Sequence, residues 1–212
     1  MDYQELADAA RAYADRNDIE VDNNIDVFFI MAESRINRVL KVSKQSHRVY
    51  TRSIEGQEYY ALPPDYNGMR AIQFNTGQPD DTENGSATKT MTFITPNMMA
   101  EYQSGNIEPE KYYYTIVSGQ IQVFPTLPHA GTIEIIHYRR LIHLNKDNTT
   151  NWMSLDHPDI YLAGLICEIE SFVKNYDAAT LWDQKMTRMI EELRTDNEES
   201  LWAGNTLTVR LG

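Results

Sequence analysis

The chain carries a single cysteine, Cys167, so no disulfide closes within it and no oxidising compartment is implied. It has no long apolar run. The longest clean one, residues 27–32, falls far short of the roughly 20 residues that span a bilayer. The opening Met-Asp-Tyr-Gln-Glu-Leu is acidic and polar where a secretory leader is basic and then apolar. These absences set the expectation of a soluble protein of a reducing compartment with no membrane partner. Basic residues are also scarce, with 19 Lys and Arg against 31 Asp and Glu and a net charge of -12. Gripping a nucleic-acid backbone takes clustered cations that release counterions, which this balance opposes. A wall that faces DNA and repels it stays compatible. Catalytic signatures are missing too: no G-x-S-x-G, no Walker-type loop, no G-x-G-x-x-G and no H-E-x-x-H.

What is present is an ordinary globular composition, 42% hydrophobic over 212 residues, enough for a sizeable core. Thirteen tyrosines against six phenylalanines suit surfaces that are half apolar and half wet.

Helical periodicity marks both ends of the chain. A first helix is expected over residues 2–15, with a stripe of small residues, and a second over 25–41, capped by Asp22, Asn23 or Asn24. In the second, Ile25, Phe28, Phe29, Ala32, Ile36, Val39 and Leu40 face inward and Glu33, Ser34, Asn37 and Arg38 outward, with Arg35 near the boundary. Pro158 opens a third helix in which Leu162, Leu165, Ile166, Ile169, Phe172 and Val173 form one apolar face. A fourth is expected over 178–196, capped by Asp177 and ending in a run of acids.

From residue 47 to 140 the period switches to two, with strands expected at 48–54, 58–62, 69–75, 88–94, 112–117, 120–124 and 132–138. Ser118-Gly119 makes a two-residue hairpin connection. Residues 77–87 read as a solvated hairpin tip or as a loop projecting to a partner. The fold class is therefore α+β: an antiparallel bundle of about four helices (1–46 and 141–200) with an inserted antiparallel β-sheet domain (47–140). The insert holds a short helix near 97–102, and an extended C-terminal tail covers 201–212. In that tail Leu207, Val209 and Leu211 alternate with Thr206, Thr208 and Arg210, a strand that pairs within its own domain or onto a neighbouring chain.

Candidate chemistry is thin. Asp156-His157-Pro158-Asp159 sets two carboxylates around an imidazole, but a capped helix start accounts for the same residues. His137 and His143 flank Tyr138-Arg139-Arg140, where a metal site needs further ligands at fixed spacing and none is legible. Cys167 sits among Leu165, Ile166 and Ile169, which keeps a thiol inert. No catalytic, cofactor or metal residues are expected. The competing reading is a small hydrolase or ligand-binding module with its cleft near His143 and His157.

Six stretches, in order, resemble the head-to-tail adaptors of short-tailed bacteriophages. They are Ala-Glu-Ser-Arg-Ile-Asn-Arg-Val-Leu-Lys from Ala32, Tyr-Tyr-Ala-Leu-Pro-Pro-Asp-Tyr from Tyr59, and Phe-Ile-Thr-Pro from Phe93. The others are Tyr113 to Ile116 with Ile121 to Pro125, Ile133 to Arg140, and Asn151-Trp152-Met153 with His157-Pro158-Asp159-Ile160-Tyr161-Leu162. Ala163-Gly164 departs from the bulkier pair usual in the family. The resemblance implies a structural virion protein that is not an enzyme and works at the portal-tail junction after assembly in the host cytoplasm. It implies a ring, typically of twelve copies, bound to the portal, presenting a platform to a tail or nozzle protein and surrounding a channel for genomic DNA. On that reading the residues meeting neighbouring chains or the portal are Arg35, Arg38, Leu207, Val209, Arg210 and Leu211.

Overall fold

The structure is a computed structural model that describes residues 1–75, 88–105, 111–128 and 130–202. In chain order its elements are α1 (Tyr3–Ala14), α2 (Ile19–Val39), a 3-10 turn (Ser43–Gln45), β1 (Ser46–Ser53), β2 (Tyr59–Ala61), β3 (Tyr66–Asn75) and β4 (Thr88–Phe93). There follow α3 (Pro96–Ser104), β5 (Tyr112–Val117), β6 (Gln120–Phe124), β7 (Gly131–Arg139), α4 (Trp152–Asp156), α5 (Pro158–Phe172) and α6 (Tyr176–Trp202). Two compact units result, one from Met1–Ser43 with Leu141–Gly212 and one from Lys44–Arg140.

In the helical unit α1, α2 and α6 all pack on α5. The reason lies in the α5 sequence, which is apolar around most of its circumference rather than along one stripe. Ile160, Tyr161, Ala163, Gly164, Leu165, Ile166, Cys167 and Ile169 are all buried, whereas Phe172, expected inward, is exposed. Gly164 lets the neighbours come close, since a Cβ there would lie 3.1 Å from Ala32 Cβ and 3.3 Å from Met186 Cε. Asp2 caps α1 through a reciprocal box with Glu5. α2 begins six residues earlier than its expected start at residue 25, so Asp22, Asn23 and Asn24 lie inside it and Asp18 takes the N-cap position.

In the sheet unit the strand order is β1-β7-β3-β4-β5-β6-β2. Ile72, Phe74, Ile133, Ile135, Met91, Ile121 and Val123 fill its core. β3 and β7 pair through Ile72 with Ile135 and Phe74 with Ile133, which puts both rows on one face. The β5–β6 hairpin closes through Ser118 and Gly119, both at positive φ, the conformation such a turn demands.

The expected fold, an antiparallel bundle of about four helices carrying an inserted antiparallel sheet, is not what forms. Among the described residues the chain is an α+β protein with a curled seven-stranded sheet and six α-helices. Two physical causes separate it from the expectation. α5 is a shared packing surface for three helices, not one member of a ring of four. The sheet is mixed, because β4 and β5 run parallel; parallel neighbours need a crossover, and α3, capped by Thr95 with Pro96 in its first turn, supplies it. α6 continues through Trp202, past the expected tail start at residue 201, and residues 203–212 lie outside the described residues.

Candidate functional site

Glu33, expected on the outer face of α2, is buried at 4% exposure. It follows Phe29 by four residues and precedes Ile36 by three, which places it on the flank of the core stripe. A buried carboxylate is costly unless it is fully hydrogen-bonded, and this one has three partners. Oε1 accepts from the Leu144 N–H at 2.9 Å and from the Tyr161 hydroxyl at 3.0 Å. Oε2 meets His143 Nδ1 at 2.6 Å. The Asn151 amide donates to the Tyr161 hydroxyl at 2.7 Å and to the Ile142 carbonyl at 2.8 Å. Burial first, and then the Glu33 charge, hold the Tyr161 hydroxyl far above the ordinary tyrosine range. One turn further along α2, Asn37 Oδ1 accepts from the Leu141 N–H at 2.9 Å.

This network fastens the segment from Leu141 to Asn151 onto α2. Its members come from two of the stretches that carry the adaptor resemblance, Glu33 and Asn37 from one and Asn151 and Tyr161 from the other. Their shared role, bonding across more than a hundred positions, is not visible in either stretch alone.

The chemistry expected of a hydrolase is not assembled here. His143 is engaged with Glu33. His157 closes α4 and precedes Pro158, with its ring edge-on to Trp152 at 6.0 Å. Among the described residues no hydrogen bond or ion pair joins these two histidines. Asn151, rather than an acid of the Asp156–Asp159 stretch, provides the capping box, with Ser154. Cys167 is buried, and burial pushes its thiol up and away from the reactive thiolate.

Of the expected interface residues, Arg35 pairs with Asp183 and donates to Thr187 Oγ1 at 3.1 Å, both on α6. Arg38 is exposed. Leu207, Val209, Arg210 and Leu211, like the loop at 77–87, lie outside the described residues. On α2, Val27, Ile30 and Met31 are 46%, 50% and 48% exposed and recur at helical spacing on the side opposite Phe28, Phe29 and Ala32, an apolar outer row that the expected faces leave out. Arg38 continues that outer row. The signal was the unbroken apolar run itself, since six successive apolar residues on a helix cannot all face one core.

In the sheet unit, His137 is fully buried, with His47 opposite it on β1 and Asp65 against its Nε2 at 3.1 Å. These are the described residues able to hold a metal ion.

A family model described as SU10 adaptor protein matches residues 1–210. Among curated proteins none matches the chain.

Proposed function

The chain belongs to the SU10 adaptor protein family, a family of phage head-to-tail adaptors, and from that premise we propose that it does structural rather than catalytic work at the portal-tail junction. Twelve copies form a ring beneath the portal, seal the junction and give the next tail protein its platform. Genomic DNA passes through the ring without sequence-specific binding.

The observation that carries this reading is the extent of the family match, which runs across both compact units. Two physical features support it. A net charge of -12 disfavours retention of DNA, which a conduit must release as readily as it admits. The exposed Val27, Ile30 and Met31 row on α2 supplies apolar area for a subunit contact between copies that otherwise repel. Arg38, and the tail residues Leu207, Val209, Arg210 and Leu211, are assigned to contacts with the neighbour or the portal.

Electron microscopy of the protein mixed with its cognate portal tests the reading. Rings stacked on the portal are expected. Absence of any complex at micromolar concentrations of both proteins would overturn it.

A further inference from the structure

His47 and His137 are direct partners across the antiparallel β1–β7 pair, so their side chains stand on the same face of the sheet. Their rings lie 5.8 Å apart, edge to face. Asp65, in the turn before β3, brings Oδ1 to 3.1 Å from His137 Nε2. One potential ligand atom from each of the three lies within 4.8 Å of the others. His137 sits on the same side of β7 as Ile133 and Ile135, at 0% exposure. Its Nδ1 finds no hydrogen-bond partner among the described residues.

We propose that His47, Asp65 and His137 form a binding site for a divalent transition-metal ion of the zinc class. Two imidazoles and one carboxylate are the donor set that such an ion takes when it keeps a fourth position for water. Bonds of about 2.0–2.1 Å in a tetrahedron require donors about 3.3 Å apart. His137 Nε2 and Asp65 Oδ1 already meet that spacing, and a rotation of the exposed His47 brings in the third donor. The ion has an open approach, because His47 is exposed and the Asp65 side chain is 43% accessible while His137 forms the floor.

The same geometry sets the affinity. Ligation through Nε2 puts the remaining ring proton on Nδ1, which lacks the acceptor that normally tunes a metal-bound histidine. The absence of such a partner weakens binding by about 10–100-fold. The site is therefore exchangeable rather than a permanent structural centre. An ion there ties β1, at the sheet edge, to β7 and to the turn before β3. That is a brace on an edge strand that otherwise pairs on one side only.

The test is titration of the full chain with zinc at neutral pH, followed by calorimetry, and with cobalt(II) as an optical reporter. Expected are one ion per chain, tetrahedral cobalt absorption, and slower amide exchange in β1 on loading. His47→Ala and Asp65→Asn, both at accessible positions that leave the core intact, are each expected to weaken binding by about tenfold or more. No bound ion at neutral pH, or equal affinity in the wild type and both variants, overturns the assignment.

Discussion

Glu33 Oε1 accepts a hydrogen bond from the Tyr161 hydroxyl at 3.0 Å, joining residues 128 positions apart in the buried interior of the helical unit. Replacing Glu33 by Ala strands the Tyr161 hydroxyl and the Leu144 N–H and leaves His143 without its carboxylate. The expected cost is about 3–5 kcal/mol in denaturant unfolding. Tyr161→Phe removes only one bond and should cost about 1–2 kcal/mol. The double variant should fall short of the sum, because the two side chains share one network. Additive losses would mean that the two act separately.

A second expectation concerns the outer row of α2. Ile30→Glu with Met31→Glu alters side chains that are about half exposed, so the melting temperature should hold within a degree or two. Ring formation on the portal should fall by tenfold or more, read by particle counts in micrographs. Rings at wild-type frequency would place the subunit contact elsewhere.

Truncation after Ser200 probes the tail. The shortened chain is expected to fold, since the buried α6 residues Met186 and Ile190 are retained, but to bind the portal and its neighbours more weakly. Unchanged assembly would remove Leu207, Val209, Arg210 and Leu211 from the interface.

Glu168 gives a pH signature. Burial raises its carboxyl above the usual range, Arg35 and Arg38 opposing and Asp183 reinforcing the shift. A carboxyl raised in the folded state contributes stability that is fully present below its unfolded pKa, about 4.3, and is lost as pH rises through the folded value. Glu168→Gln is therefore expected to be modestly more stable than wild type at neutral pH. That advantage should vanish near pH 4. A constant difference across this window in parallel thermal melts would contradict the burial argument.

Gly131 opens β7 where a Cβ would lie 2.4 Å from the Asn75 carbonyl oxygen and 2.9 Å from the Phe74 ring. A backbone oxygen cannot rotate aside, so Gly131→Ala should destabilise by about 1–3 kcal/mol. Gly164→Ala meets side chains only and gains helix propensity of about 1 kcal/mol, so its net effect should be smaller. Comparison of the two denaturation midpoints checks the ranking.

Which features could be read from the chain follows from how local their causes are. The limits of β5 and β6 match the expectation because Ser118-Gly119 fixes a hairpin by its own backbone preferences. Pro158 announces α5 for a similar reason. The start of α2 is not legible because Asp22, Asn23 and Asn24 look like caps, whereas in the protein the helix already runs through them. The parallel β4–β5 pairing has no periodic signature, since a strand's alternation says which face is apolar and nothing about its neighbour. Glu33 reads as part of the outer face of α2, because its partners at 143, 144 and 161 are too distant for any window to register. The same holds for His47, Asp65 and His137, brought together by the order of strands.

The central place of α5 has a consequence for synthesis on the ribosome. α1 and α2 emerge first, yet the helix they pack on begins at Pro158. At about 5–20 residues per second, the 118 residues between Val39 and Pro158 take roughly 6–24 s to translate. Through that interval Phe28, Phe29 and Ile36 lack the surface that covers them in the finished protein, while the sheet unit from Lys44 to Arg140 is completed ahead of the helices that preceded it. The nascent chain thus matures from its middle outward, and the first forty residues depend on shelter until the last third arrives.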